Sequence, residues 1–165
     1  MITDKDTLYD FDLKYYPDLF LLAEKAWIYT YLKSMDLKKI TERLKTWYSE
    51  ENHKGIYENV LKKEYFFKVL YRDQKMIGFV SGKIKDSTLD RLYIDPELIG
   101  QGIGSFLFDI FIEELIKNNK NTCIVYCDKK NEIGLSFYMK KEFKIIDEDE
   151  EDYKMILNSL EMNSE

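Results

Sequence analysis

Three glycines stand close together in the middle of the sequence. Gly100, Gly102 and Gly104 are three of the seven glycines in the chain and fall within five residues. A short apolar stretch and an Asp-Pro pair precede them, and an apolar-periodic segment typical of a helix follows. Glycine lets the backbone approach a ligand closely, and the unpaired N–H groups at a helix start favour anions. The turn from Gly100 to Ser105 is therefore predicted to hold a pyrophosphate.

The glycine turn differs from two common phosphate loops. It lacks the Gly-Lys-Ser/Thr ending of a nucleoside triphosphate loop, and its spacing differs from the dinucleotide pattern G-x-G-x-x-G. The strand before it also belongs to a series of strands with short connections, whereas a dinucleotide fold begins with βαβ units. The alternative without a ligand is a loop that closes tightly onto a helix.

Few other side chains in the chain could act as nucleophiles or metal ligands. Cys123 and Cys127 are four residues apart in a predicted strand, so they point to one side but lie too far apart to form a disulfide. Buried, reduced thiols are expected. The single histidine, His53, stands in the polar run SEENHKG and is expected at the surface. With one histidine a zinc site would lack ligands, so no metal is predicted.

Charge and hydropathy argue against several classes of protein. The formal net charge is −6, which argues against a nucleic-acid binder because phosphate contacts need a basic face. An acidic chain suits a cationic small molecule or peptide as partner. No stretch approaches about 18 consecutive apolar residues, so no membrane span is expected. The acidic N-terminus lacks a signal pattern, which predicts a cytoplasmic protein.

Hydrophobic periodicity divides the chain into helices and strands. Helices are predicted over about 17–31, 37–48, 56–61, 103–117 and 131–141, and strands over about 65–72, 76–84, 88–94, 121–127, 143–147 and 153–157. The first three strands have short connections and are predicted antiparallel, whereas 121–127 follows a crossover helix and is predicted parallel to 88–94. The sequence therefore predicts one α/β domain over residues 1–165, with a mixed, mostly antiparallel sheet flanked by helices.

Two motifs carry a resemblance to a known family. RLYIDPELIGQGIGSFLF and NEIGLSFYMKKEFK, in the order strand, phosphate turn, helix, strand, helix and closing hairpin, resemble the GCN5-related N-acetyltransferases. The resemblance covers roughly residues 65–157, which would form the sheet and the cofactor-binding core. Residues 1–64, mainly helical, would form the acceptor side. Two positions depart from the family pattern, because Ile99 replaces an Arg or Gln and Glu142 replaces a Gly.

The family resemblance implies acetyl-CoA as donor and assigns roles to individual residues. The backbone of Leu92, Tyr93 and Ile94 would pair with the pantetheine arm, and this strand would splay from the next to admit it. Asn131 would meet the cofactor, and Tyr138, which would also touch the cofactor, would protonate the departing thiolate. The residues implied to cradle the pyrophosphate are Gly100, Gln101, Gly102, Ile103, Gly104 and Ser105. Because Ile99 cannot offer the polar side chain of the family pattern, we expect weaker cofactor binding rather than none.

The implied reaction needs little further chemistry. A neutral amine attacks the thioester, backbone N–H groups steady the oxyanion, and a proton reaches sulfur. A free alkyl amine is mostly protonated at pH 7, so a nearby carboxylate would help. Asp90 is the candidate for that role, and an ordinary surface aspartate is the alternative. Gly134, one turn before Tyr138, could leave room for a ligand or could serve packing alone.

The acceptor is less well defined than the donor. EKAWIYTYL and the C-terminal stretch resemble PaiA-like polyamine N-acetyltransferases, which implies that Trp27 and Tyr31 contact the acceptor; core packing is the alternative. The acidic run 147–152 could attract a polycation or form a solvated turn. An N-terminal peptide or lysine acetyltransferase is the rival enzyme, and a non-catalytic CoA-binding sensor is the rival from another class. Exposed aromatic side chains could support a homodimer.

Overall fold

Seven strands form one mixed sheet in the order β1–β2–β3–β4–β5–β7–β6. The computed structural model describes residues 1–160. The strands are β1 (Asp6–Asp10), β2 (Phe66–Arg72), β3 (Lys75–Lys83), β4 (Thr88–Ile94), β5 (Thr122–Asp128), β6 (Lys144–Glu148) and β7 (Asp152–Asn158). The helices are α1 (Tyr16–Tyr31), α2 (Leu37–Trp47), α3 (Glu50–Leu61), α4 (Ile103–Lys117) and α5 (Glu132–Lys140), with short 3₁₀ helices at Leu13–Tyr15 and Pro96–Leu98.

The sheet confirms the predicted fold class. The pair β4–β5 is parallel, and every other neighbouring pair is antiparallel. The turn between β2 and β3 is tight, with positive φ at both Asp73 and Gln74, the geometry that matches the twist of a two-residue hairpin. The chain is a single α/β domain with helices on both faces of a mostly antiparallel sheet.

Local signals explain where the helices begin. Pro17 stands in the first turn of α1, and the Asp36 side chain accepts a hydrogen bond from the backbone N–H of Lys39 to cap α2. Ser49 caps α3 in the same way by accepting from Asn52. The prediction that the third helix starts after Gly55 was therefore wrong, because the Ser49 cap starts it at Glu50 and Gly55 lies inside the helix.

The edge strand β1 was not predicted from the sequence. It has little apolar alternation, yet it pairs antiparallel with β2 along its whole length. The guanidinium of Arg72 donates to both carboxylate oxygens of Asp6, at 2.7 and 2.8 Å, and this two-point contact fixes the register. A polar edge strand held by an ion pair leaves no hydrophobic period to detect.

Two hydrophobic clusters lie on opposite faces of the sheet. On one face α1 and α2 pack through residues such as Leu19 and Ile40 against Phe79 of β3. On the other face α4 packs through Leu107 and Phe111 against residues of β3, β4 and β5. Successive strand residues alternate between the two clusters, as the period of two requires. The helices α1 and α4 are thus fixed on either side of the central strand β4.

His53 contradicts the sequence prediction because it is completely buried. It lies on α3 and packs against the rings of Phe11, Tyr16 and Tyr48. The polar run that suggested a surface position is helical, and only one face of that helix reaches solvent. Cys123 and Cys127 are buried with free thiols, as predicted.

Within residues 1–160, no helix is both long enough and apolar enough to cross a membrane. The same part of the chain contains no cluster of His, Cys, Asp or Glu side chains arranged to hold a metal ion.

Candidate active site

The sheet opens along its middle between β4 and β5. The two parallel strands pair only at Thr88 with Ile124 and at Leu89 with Val125. Beyond Leu89 they diverge, while β4 stays paired with β3 as far as Ile94. The backbone of Leu92 to Ile94 therefore has a partner strand on one side only, and two cavities meet at this opening.

The first cavity, the glycine-turn cleft, has a volume of about 370 Å³. It extends from the β4–β5 opening to the start of α4. Its walls are largely apolar, and four elements contribute them: β4, the glycine turn, α5 and α1. The lining residues are Ala26, Tyr29, Thr30, Leu92, Tyr93, Ile94, Pro96, Ile99, Gly100, Gly102, Gly104, Ser105, Asn131, Ile133, Gly134, Phe137 and Tyr138.

The glycine turn has the geometry expected of an anion cradle. Gly100 and Gly102 have φ of +84° and +81°, and a Cβ on either would have no neighbour within 4 Å, so both lie against open space. Gly102 is the N-cap of α4 and offers no side chain to the free N–H groups of its first turn. Positive backbone charge thus faces the cleft. These features fit a pyrophosphate.

The side chains of two residues predicted for the backbone cradle lie outside the cleft. Gln101 does not line the cleft, and its backbone N–H donates to the Leu98 carbonyl at 3.3 Å. The Ile103 side chain is completely buried in the core, so only its backbone can serve a ligand. Ile99 lines the cleft with a partly exposed apolar side chain, where the family pattern has a polar one.

A buried ion cluster anchors the start of the glycine turn. The Asp95 carboxylate, completely buried, contacts the ammonium groups of Lys25 on α1 and Lys75 on β3, both at 2.7 Å. It also accepts a hydrogen bond from the Glu97 backbone N–H. Burial alone would raise the pKa of Asp95, but the two lysines hold it at about 2. The cluster ties the turn to α1 and to the start of β3.

Asn131 and Gly134 act together at the start of α5. The Asn131 side-chain oxygen accepts a hydrogen bond from the Gly134 N–H at 2.8 Å and so caps the helix. A Cβ on Gly134 would lie 2.6 Å from the Asn131 side-chain nitrogen, so this glycine allows the cap to form. Both residues also line the cleft. Gly134 therefore makes room for the cap and also borders the cleft.

Tyr138 lies where the two cavities meet. It lines both of them, and its ring packs edge-on against Phe137 and Phe143 at centroid distances of 5.4 and 5.3 Å. Burial raises the pKa of its hydroxyl well above the ordinary tyrosine value, and the nearby Cys127 thiol adds to the shift. The hydroxyl therefore stays protonated at neutral pH.

The second cavity, the acidic cavity, has a volume of about 260 Å³ and shares Leu92, Tyr93, Asn131 and Tyr138 with the cleft. Aromatic and acidic side chains form most of its wall. The lining residues are Trp27, Tyr31, Trp47, Tyr48, Asp90, Arg91, Leu92, Tyr93, Tyr126, Cys127, Asp128, Asn131, Tyr138, Glu151 and Asp152. Four of these are carboxylates and one is a fixed cation.

Asp128 and Asp152 face each other across the antiparallel pair β5–β7. Burial raises the pKa of Asp152, and the neighbouring Asp128 carboxylate raises it further. Like charges placed opposite each other on adjacent strands repel, so the pair favours binding of a cation or a proton. This side of the acidic cavity can hold an ammonium group.

Asp90, predicted as the proton acceptor, lies on the rim of the acidic cavity. It is the extra residue of a β-bulge, since Arg91 pairs with Ser81 and Leu89 pairs with Gly82. Its carboxylate accepts a hydrogen bond from the Tyr65 hydroxyl at 2.9 Å. Asp90 is exposed, whereas Asp128 and Asp152, which line the same cavity, are partly buried.

Trp27 and Tyr31, predicted as acceptor contacts, are both buried and both line the acidic cavity. Their rings lie 4.8 Å apart on one face of α1. The indole N–H of Trp27 has no hydrogen-bond partner among residues 1–160. A buried donor without a partner in a cavity wall is suited to a bound molecule. Core packing and cavity lining therefore coincide at these two residues.

His53 fixes the one cationic side chain of the cavity wall. Its Nδ1–H donates to the Ser49 carbonyl at 2.9 Å, and its Nε2 accepts from the Arg91 guanidinium at 3.0 Å. Arg91 also donates to the Trp47 carbonyl and lies over the Tyr48 ring. Burial lowers the pKa of His53 to about 4, and the Arg91 charge acts in the same direction. His53 is thus neutral at pH 7.

Sequence reasoning missed several residues of both cavities. Tyr29 and Thr30 line the glycine-turn cleft, although neither was predicted as a site residue. Asp128, which ends β5, gave no motif of its own. Its signal would have been the predicted pairing of two strands that each carry an acidic residue at one end.

An opened parallel pair of strands, a glycine turn and a tyrosine between two cavities define an acyltransferase-like site. Comparison with known proteins agrees, because the sequence profile of the family described as acetyltransferase (GNAT) domain matches residues 32–163. The chain belongs to the GNAT acetyltransferase family. It is 29% identical over 137 residues to the spermidine N(1)-acetyltransferase of Thermoplasma acidophilum, covering 81% of this chain and 85% of that protein.

Solved structures show the same fold. The PaiA N-acetyltransferase from Thermoplasma acidophilum in complex with coenzyme A superimposes with a TM-score of 0.87 at 26% identity, covering 93% of this chain and 98% of the other. The ribosomal-protein-S18-alanine N-acetyltransferase from Escherichia coli gives a TM-score of 0.63 at 16% identity, with 97% of both chains covered. Enzymes named for spermidine and for a ribosomal protein thus share this fold, and the fold alone does not choose the acceptor.

Proposed function

We propose that the protein transfers an acetyl group from acetyl-CoA to a primary amine of a polyamine such as spermidine. One observation carries the proposal: Tyr138 joins the glycine-turn cleft to a cavity lined by four carboxylates. A polycation gains from several fixed negative charges in one place, whereas a neutral or acidic acceptor does not. The likeness to a protein named as a spermidine N(1)-acetyltransferase supports the same acceptor.

The glycine-turn cleft is the proposed binding site for acetyl-CoA, which supplies the acetyl group as a thioester. The free N–H groups at the start of α4 would hold the pyrophosphate, with Gly100 and Gly102 giving the backbone its left-handed turns. The unpaired edge of β4 from Leu92 to Ile94 would bind the pantetheine arm. This arrangement directs the thioester toward the β4–β5 opening beside Tyr138.

The residues of the acidic cavity would bind the amine and accept its proton. A neutral amine attacks the carbonyl carbon of the thioester, so that a C–N bond forms and the C–S bond breaks. The Tyr138 hydroxyl would give its proton to the departing sulfur, because it lies where the two cavities meet. Asp152 and Asp128, or Asp90 at the rim, would take the proton that the amine loses. Backbone N–H groups on β4 would steady the developing oxyanion.

The test is thiol release from acetyl-CoA with spermidine as acceptor, followed with a thiol-reactive dye. We expect release that saturates with spermidine. Tyr138→Phe should lower kcat by about 100-fold or more while the KM for acetyl-CoA stays the same, because positioned proton transfer contributes about 10²–10⁴-fold. Tyr126→Phe is the matched control, since Tyr126 lines only the acidic cavity and is exposed.

Two results would point to other functions. Release with lysine-containing peptides or peptide N-termini but not with spermidine would make the protein a peptide acetyltransferase. Binding of acetyl-CoA without release to any amine, and with no difference between the wild-type protein and Tyr138→Phe, would make it a sensor of the cofactor. The cytoplasmic location and the homodimer remain predictions.

A further inference from the structure

Arg43 connects two sides of the acidic cavity. It lies on α2 with 19% of its side chain exposed, and one guanidinium nitrogen donates to a Glu151 carboxylate oxygen at 3.1 Å. The other terminal nitrogen lies 4.0 Å from an Asp128 carboxylate oxygen. The guanidinium also lies over the Trp47 ring, 5.6 Å from its centroid. One positive charge from a helix thus reaches two carboxylates on the far wall.

The carboxylates that Arg43 contacts line the cavity, but Arg43 itself does not. Arg43 therefore neutralises part of the acidic wall from the side and leaves the space itself open. Asp152, opposite Asp128, has no ion-pair partner among residues 1–160. Besides Asp90 on β4, the wall therefore has one carboxylate without a counter-ion next to two that share an arginine.

Another cation could easily replace Arg43 in its ion pairs. Its one hydrogen bond to the described part of the chain goes to Glu151, whose side chain is 65% exposed. Arg91, the other cation here, is held by the His53 ring, the Trp47 carbonyl and the Tyr48 face together. A guanidinium is weakly hydrated, and partly exposed ion pairs stabilise little. Arg43 can therefore leave its carboxylates, whereas Arg91 is fixed.

We propose that Arg43 is a displaceable counter-ion, which occupies Glu151 and Asp128 and gives them up to the second ammonium group of an oligoamine acceptor. The proposal rests on the proposed function. Exchange of one cation for another keeps one positive charge beside the two carboxylates at every stage, so neither carboxylate has to be stripped of its counter-ion before the acceptor binds. An acceptor with a single amine has no group to replace Arg43, so Arg43 affects only acceptors that carry two or more charges.

The experiment compares spermidine with butylamine in the thiol-release assay. Arg43→Met removes the charge and keeps an unbranched apolar side chain against Trp47. We expect it to lower the KM for spermidine about threefold, since an ion pair of this kind is weak. The KM for butylamine and that for acetyl-CoA should not change. Arg43→Lys, which keeps the charge, should behave as the wild-type protein does.

Lys129→Met is the matched control for net charge. Lys129 contacts Glu148 and the Asp149 carbonyl on the same hairpin but does not line the cavity. It removes the same charge as Arg43→Met without freeing a cavity carboxylate, so the KM for spermidine should fall by less. Equal decreases in the two variants, or an equal decrease for butylamine, would overturn the proposal because bulk charge would then explain both.

Binding without turnover gives a second measurement. Both tryptophans of the chain, Trp27 and Trp47, line the acidic cavity, so their fluorescence should report spermidine binding directly. Unchanged or weaker affinity in Arg43→Met, and in Arg43→Gln if the first variant does not fold, would overturn the role of Arg43. A wild-type protein that neither binds nor acetylates spermidine would instead overturn the proposed function.

Discussion

The glycine-turn cleft and the acidic cavity meet at Tyr138, yet the chain builds them in opposite ways. The cleft takes its binding groups mainly from the backbone of β4 and of the turn before α4, which are neighbours in the sequence. The acidic cavity takes side chains from α1, α2, β4, β5 and the region around β7. A site made of local backbone tolerates changes in side chains, whereas a site assembled from distant elements depends on every contact that holds those elements together.

Acid should destabilise the acidic cavity first, because His53 fixes Arg91 in its wall. The unfolded chain takes up a proton at a pKa of about 6.5, whereas the folded His53 has a pKa of about 4. The unfolded state therefore binds more protons between these values. Stability is at its full level above pH 6.5 and falls by about 3 kcal/mol as the pH drops to 4.

Urea unfolding at pH 7.5, 6 and 5 measures this loss, with His53→Gln as the control. Glutamine is neutral at every pH, so the variant should lose much less stability over the same range. The same slope in both proteins would assign the acid sensitivity to carboxylates elsewhere in the chain.

Binding of acetyl-CoA in the glycine-turn cleft should be weakened by a loss of backbone freedom alone. Gly102 has φ of +81°, which costs a residue with a side chain about 1–2 kcal/mol. Gly102→Ala should therefore raise the KM for acetyl-CoA about tenfold and leave the KM for spermidine unchanged. Gly55→Ala is the control, because Gly55 lies inside α3 and a Cβ there has no neighbour within 4 Å. An equal effect on both substrates would show that the two sites are coupled.

Acceptor binding in the acidic cavity should be weakened by a change in charge alone. Asp152→Asn keeps the shape of the side chain and removes a carboxylate from the wall. We expect the KM for spermidine to rise about fivefold and the KM for acetyl-CoA to stay the same, since partly exposed charge pairs contribute about 1 kcal/mol. Glu150→Gln, in the same acidic run but outside the cavity, is the control. A matching rise in that variant would mean that general charge attracts the acceptor.

The smallest expected effect comes from Glu142, which stands where the family pattern has a glycine. Glu142 follows α5 with φ of +66°, a conformation that favours glycine. Glu142→Gly should therefore stabilise the protein by about 0.5–1 kcal/mol, or raise Tm by about 2–4 °C. Thermal unfolding measures the shift, and both KM values should remain as they are. Lys140→Gly, at the last residue of α5, should lower Tm instead.

The contrast between the two sites also explains what the sequence could predict. The glycine turn, α4 and the parallel pairing of β4 with β5 follow from spacing and connection length, and the structure confirms these elements. They are local features or follow from connection rules. The opening between β4 and β5 came from the family resemblance, since no residue pattern within either strand encodes it.

The acidic cavity could be predicted only in fragments. Trp27 and Tyr31 were singled out, but their packing with Trp47 and Tyr48 depends on where α2 lies against α1. His53 was misplaced because the burial of a polar residue depends on its partners, here Arg91 and Ser49, which are distant or unremarkable in sequence. The meeting of Asp128 with Asp152 required the β5–β7 register, which a sequence alone does not give.

The opening between β4 and β5 has a consequence for how the protein survives in a cell. From Leu92 to Ile94 the strand presents unpaired peptide groups in the middle of a sheet, where another extended chain could add as a strand. A ligand that fills the opening removes this route to self-association and stabilises the folded chain by mass action. We expect the stability of the protein and its resistance to self-association to increase with the supply of its ligand.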